Sequence, residues 1–148
     1  MFIDASAIVA ILNDEPEASA FEAAIERHDR KIYVSPIARF EAVVSLAAAR
    51  SRKTKSRTSP EAIELAAQAV NALLETIQAQ EAPILPAIAD RAIAAAAKFG
   101  RVVSHQADLN LGDCFAYALA KVTGEPLLFK GADFAKTDIF APLPDNAA

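Results

Sequence analysis

The chain opens on three apolar residues, Met1 to Ile3, then sets Asp4 before a longer apolar run that reaches Leu12. A short apolar run followed by helical spacing predicts a strand and then a helix. The alternation continues along the chain. Pro16 restarts a helix that runs to about Glu26. Lys31 to Ser35 (KIYVS) is β-branched and aromatic, which predicts a second strand. Ser35 and Pro36 supply a cap and a first-turn proline for a helix to about Arg50. Ser59-Pro60-Glu61 repeats that signal and opens a helix to about Gln78. Glu81 to Leu85 predicts a third strand, and Pro86 begins a helix that stops at Gly100. A helix starts at Asn110 to Asp113, runs through Val122 and closes at Gly124. Pro126 to Phe129 predicts a buried fourth strand, and Thr137 to Phe140 a last edge strand. The tail PLPDNAA reads as loose, which ends the domain near residue 143 and leaves 144–148 as a flexible tail.

Strands alternating with helices imply βαβ units and a mostly parallel sheet covered on both faces. Burial on both faces accounts for strands that are apolar without alternation. There is no internal repeat and no second core. The one polar linker is RSRKTKSRTSP, residues 50–60, inside the domain.

At 148 residues and 53% hydrophobic, the chain is long and apolar enough for one folded domain, and disorder is excluded. No apolar stretch reaches the ~18 residues of a membrane span, and no secretory leader is visible. Cys114 is the one cysteine and has no partner for an internal disulfide, so a cytoplasmic protein with a packed thiol is expected. His28 and His105 are isolated, and no zinc-like spacing occurs. Net charge is −4 and the pI is about 5.2, opposite to a generic nucleic-acid binder.

The acids change that picture. Parallel sheets place their sites beyond the carboxyl ends of the strands. Asp4 follows strand one there, and Asp133 lies in the turn KGADF after strand four. Glu41 falls on the second turn of the helix after strand two, and Asp113 in the first turn of the helix from Asn110. The helical neighbours of Glu41 are Ile37, Ala38, Val44, Ser45 and Ala48, so a carboxylate stands on a face built for burial. No Lys or Arg lies three or four residues from Glu41 or Asp113. Burying an unpaired carboxylate costs several kcal/mol, and clustering several raises their pKa values. A hard divalent cation resolves the conflict, and an all-oxygen set favours Mg²⁺ or Mn²⁺ over zinc. Singly, each acid has an ordinary reading: Asp4 as a helix cap, Asp113 as a partner of the helix dipole, Asp133 as a turn residue, Glu41 reaching out to solvent.

Four segments together carry a resemblance. FIDASAIVAIL at the start, SPIARFEAVVSL around Glu41, LNLGDCFAYALA around Asp113 and PLLFKGADFAKTDI around Asp133 resemble, in order and spacing, the PIN-domain nucleases of the VapC type. These are the toxins of two-gene toxin–antitoxin pairs. The likeness runs to about Leu143. It implies a three-layer α/β/α domain with about five parallel strands ordered 3-2-1-4-5. It implies Mg²⁺-dependent endoribonuclease activity, with Mn²⁺ an alternative. Asp4, Glu41 and Asp113 would be the principal metal ligands, and Asp133 would bind a second metal or hold a water. Ser6 falls where that family places a small hydroxyl near the metal. The implied partners are an RNA substrate, a small antitoxin whose tail covers the acidic groove, and a second copy of the chain.

Other features stay open at this level. The run RSRKTKSR holds Arg50, Arg52, Lys53, Lys55 and Arg57, suited either to a phosphate backbone or to a solvated helix end. Arg39 faces either substrate or solvent. The helix AIAAAAKF suits a homodimer interface or internal packing equally. Aspartyl-phosphate phosphatases need a second Asp where this chain has Ser6. Phospho-receivers need an acid after strand three, where this chain has Leu85-Pro86; only Lys130 after strand four is shared. A housekeeping nuclease of the same fold, or a non-catalytic metal-binding module, are the nearer alternatives.

Overall fold

The computed structural model describes residues 1–139. Four short parallel strands form one sheet: β1 (Phe2–Ile3), β2 (Tyr33–Val34), β3 (Gln80–Glu81) and β4 (Leu127–Leu128), in the order β3-β2-β1-β4. Phe2 pairs with Tyr33 on one side and Leu127 on the other, so β1 is central. The ladder continues past the strands, with Asp4 N donating to Leu128 O at 2.9 Å and Tyr33 N to Met1 O at 2.8 Å.

Among the described residues, six α-helices cover the two faces: α1 (Ala5–Leu12), α2 (Ala18–Arg27), α3 (Pro36–Lys53), α4 (Pro60–Thr76), α5 (Pro86–Phe99) and α6 (Leu111–Thr123). Successive strand residues point to opposite faces. Ile3, Val34 and Leu128 pack under α1 to α4 with Ile8, Phe21, Leu46 and Val70. Phe2 and Leu127 pack under α5 and α6 with Ile88, Phe99 and Leu119. The sheet thus divides the interior of one domain into two cores where the sequence showed one, within the three-layer arrangement it implied. Cys114 is buried in the second core.

Local caps set the helix starts. Ser35 Oγ accepts from Ala38 N at 3.0 Å and Ser59 Oγ from Ala62 N at 3.2 Å, each followed by proline in the first turn. Gly124 ends α6 at φ 68°, a left-handed position suited to glycine. The histidines are structural. The amino group of Met1 donates to Lys31 O and Glu125 Oε2 and stands 2.9 Å from His28 Nε2. His105 Nδ1 accepts from Ala107 N, and its ring meets Phe99 edge-on.

Several element boundaries differ from expectation. α2 begins at Ala18 rather than Pro16. β3 occupies Gln80–Glu81 rather than 81–85: Ala82 N still donates to Val34 O, but the next rung needs an N–H from residue 36, a proline that already begins α3. α3 runs to Lys53, so the first part of the polar stretch is helix, not linker. The fifth strand does not form across Thr137–Ile139. Thr137 Oγ1 donates to Phe134 O and accepts from Ile139 N, closing a local turn that competes with pairing. Phe140 and the 143/144 boundary lie outside the described residues. No helix among the described residues is long and apolar enough to cross a membrane.

Leu46 is fully buried where α3 packs over the sheet. Leu46→Ala should lower the unfolding free energy by about 2–5 kcal/mol. Urea titration should show the midpoint falling with the slope unchanged.

Candidate active site

Asp4 leaves the carboxyl end of the central strand and caps α1. Its side chain is nearly fully buried, and its Oδ2 accepts from Ser6 N at 2.9 Å and Ser6 Oγ at 2.5 Å. Burial pushes the Asp4 carboxyl above the usual carboxylate range despite both bonds. The Ser6 hydroxyl also accepts from Lys130 N at 3.0 Å, so it ties the exit of β4 to Asp4.

Asp113 sits in the first turn of α6 within a reciprocal cap. Asn110 Oδ1 accepts from Asp113 N at 3.0 Å, and Asp113 Oδ2 accepts from Asn110 N at 2.8 Å. Burial pushes its carboxyl up to about 6; the Asn110 bond pulls the other way, and the charges of Asp4 and Asp133 add to the rise.

Glu41 is half-buried on the second turn of α3, held there by the burial of Ala38, Ala42 and Leu46. Burial, followed by the charges of Asp4 and Asp113, pushes its carboxyl up to about 7. Among the described residues it has no hydrogen-bond donor and no cation within ion-pair distance. Gly112 lies against it: a Cβ there would come within 2.0 Å of Glu41 Oε2. The space for this carboxylate therefore depends on a missing side chain in the first turn of α6.

Asp4, Glu41 and Asp113 line one cavity of about 310 Å³, together with Ser6, Glu15, Asn110 and Lys130. Larger hollows beside His28, about 810 Å³, and along α5, about 500 Å³, include none of these three acids. Asp133 does not line the cavity. It is exposed in the turn after β4, close enough to Asp113 to raise its pKa. Among the described residues no three Asp, Glu, His or Cys side chains close on a single point as a finished metal cage. Mg²⁺ needs no such cage, since it commonly takes one or two carboxylates and fills its shell with water and phosphate. An all-oxygen set holding a buried carboxyl and an unpartnered half-buried one fits a hard divalent cation.

Arg39 turns away from the cavity. It donates to Asn71 Oδ1 at 3.0 Å and pairs with Glu81 at 3.4 Å, bracing α3 against α4 and β3. Tyr117 donates to Asp138 and belongs to the second core. Three residues at the site were not singled out as parts of it from sequence. Gly112 had a signal, a glycine early in a helix where propensity disfavours it. Lys130 had its place after β4; its Nζ meets Glu15 at 2.7 Å and Glu17 at 3.1 Å. Glu15 carried no signal.

The raised pKa values fix a sign. A carboxyl with a raised folded pKa keeps its proton when the unfolded chain has already lost it. Stability is therefore lost as pH rises from the unfolded value toward the folded one. The windows run from 4.5 to about 7 for Glu41 and from 3.8 to about 6 for Asp113. Metal-free protein should show a falling Tm from roughly pH 4.5 to 7. Glu41→Gln should flatten that profile and raise Tm at neutral pH. A Tm that climbs through this window in EDTA contradicts the assignment.

With this geometry in place, comparison with known proteins is specific. The PIN domain family model matches residues 1–139. A VapC ribonuclease of Rhizobium meliloti (strain 1021) is 43% identical over 139 residues, which is 93% of this chain and 98% of that protein. Ribonuclease VapC30 of Mycobacterium tuberculosis is 40% identical over 140 residues, 94% of this chain and 95% of that protein. A solved structure described as a toxin-antitoxin complex from Klebsiella pneumoniae superposes with a TM-score of 0.64 over 96% of this chain and 97% of that one; at 19% identity it shows a shared fold. Over the whole of its described length, the chain belongs to the PIN domain family.

Proposed function

We propose that this chain is a divalent-metal-dependent endoribonuclease acting as the toxin of a toxin–antitoxin pair. The observation that carries the chemistry is Glu41, an unpartnered half-buried carboxylate facing the buried Asp4 across one small cavity. The relatives named VapC ribonuclease support the substrate class, and the VapC resemblance supports an antitoxin partner. The reaction is hydrolysis of an RNA phosphodiester bond, which would arrest translation and growth from within the cytoplasm.

Asp4, Glu41 and Asp113 would hold Mg²⁺ or Mn²⁺, with Asp133 at the rim toward a second ion. A bound ion supplies Lewis acidity toward phosphoryl oxygens and lowers the pKa of water. The chain's own residues prepare that site. Ser6 fixes Asp4 through Oδ2, and Asn110 fixes Asp113 through Oδ2. Gly112 leaves room for Glu41. The N-termini of α1 and α6 both open at the cavity, so their positive dipole ends favour a bound phosphate. Homodimer formation belongs to the same reading; exposed Ile93 of α5, Val102 and Leu111 line one apolar hollow that a second copy could cover.

Purified protein should cut single-stranded RNA with Mg²⁺ or Mn²⁺ and stop in EDTA. Changing a residue that supports a metal ligand commonly costs about 10–100-fold. Asp4→Asn and Glu41→Gln, which alter the ligands themselves, should cost at least that much. Ser6→Ala and Gly112→Ala should fall within that range while Tm stays near wild type. Induced expression of wild type, and not of Asp4→Asn, should arrest growth, and the product of a neighbouring small gene should relieve it. Cutting that survives EDTA or Asp4→Asn removes the metal reading. Cutting without growth arrest favours a housekeeping nuclease.

A further inference from the structure

Helix α3 carries Glu41 near its start and most of the basic run at its end. Glu41, Ser45, Ala48 and Arg52 recur at helical spacing on one face. Glu41 and Ser45 line the acidic cavity, Ser45 and Arg52 are exposed, and Ala48 is partly exposed. This open face places Arg52 about 16 Å along the helix from Glu41. Lys53, Lys55 and Arg57 continue beyond it, all exposed.

Density and lack of pairing together set these four apart. Arg30, Arg39, Lys98, Arg101, Lys121 and Lys130 each reach a carboxylate. Among the described residues, Arg52, Lys53, Lys55 and Arg57 reach none; neither do Arg27, Lys31, Arg91 and Lys136, but nowhere else do four such cations fall within six residues. Arg50 is engaged differently, donating to Leu12 O at 3.3 Å. Cations in the last turn of a helix complement its dipole, and that covers Arg52 and Lys53. It does not cover Lys55 and Arg57, which follow the helix end, where like charges crowd without compensation.

We propose that Arg52, Lys53, Lys55 and Arg57 hold the backbone phosphates of single-stranded RNA a few nucleotides away from the bond aligned at Glu41. The inference rests on the nuclease reading of the acidic cavity and extends it to the path of the substrate. An acidic polypeptide suits the surface less well, because the same face leads into a cavity of carboxylates. A phosphate chain is drawn to both ends once a cation fills that cavity. The arrangement also reconciles a net charge of −4 with a polyanionic substrate, since four exposed positive charges stand together beside its path.

The test combines Arg52→Gln, Lys53→Gln, Lys55→Gln and Arg57→Gln in one variant, leaving Arg50 in place. On RNA long enough to extend past Arg57, KM should rise about tenfold or more at low salt, with kcat within about twofold of wild type. Cleavage of a dinucleotide, too short to reach the run, should be unchanged; this also shows that the variant is folded. RNA affinity, measured by fluorescence anisotropy in an Asp4→Asn background, should lose about 0.7 of log–log salt slope for each cation removed. Unchanged KM and salt slope on long RNA overturn the proposal. So does equal loss on long and short substrates, or loss of antitoxin binding with RNA binding intact. Wild type that binds RNA through these four cations but cuts none removes the nuclease reading, and with it the aligned bond, and leaves only the phosphate contacts of the run. Wild type that cuts RNA with no effect of the four substitutions removes this inference alone.

Discussion

Like charge crowded into one small, partly buried cavity is the constraint around which this domain is built. Asp4, Glu41 and Asp113 cannot all be ionised near one another, away from water and without a cation, at modest cost. Burial raises the pKa of all three, and neighbouring carboxylates add to the rise at Glu41 and Asp113. That cost is accepted because the sheet delivers the acids with little freedom to separate. Asp4 is fixed by the central strand ladder, Asp113 by a reciprocal cap, and Glu41 by a helix whose inner face is fully packed.

The surrounding polar groups are matched to this constraint without cancelling it. Ser6 and Asn110 each engage one carboxylate oxygen, which orients the acids but leaves their charge exposed to the cavity. Lys130, the nearest basic side chain on the cavity wall, is held by Glu15 and Glu17 and does not pair with the central acids. The cavity therefore keeps uncompensated negative charge, and among the described residues Lys130 is the one basic side chain on its wall.

Much of this was legible in the sequence because its causes are local. Serine before proline marks the starts of α3 and α4, and Asn110 marks α6, since each cap bonds within three residues. Acids at the carboxyl ends of buried strands pointed to one edge of one sheet, and Asp4, Glu41 and Asp113 meet there. The parts that stayed hidden depend on tertiary placement or on competition between local bonds. Arginine and lysine are good helix formers, so α3 could continue to Lys53 through a stretch that reads as linker. A proline without an N–H cut β3 short, and the hydroxyl of Thr137 closed a turn where a strand was expected. The approach of Gly112 to Glu41 joins two helices far apart in sequence, and nothing near either residue announces it. Asp133 follows β4 as expected, but its turn leaves it at the rim.

The brevity of β1 has a consequence for the precision of the site. Phe2 belongs to one core and Ile3 to the other, and Asp4 follows directly. A slip of one residue in this strand would exchange the two side chains between cores and turn Asp4 to the opposite face. Misalignment of the first carboxylate would thus entail disruption of both hydrophobic layers at once, so its position is guarded by the cooperative stability of the whole domain.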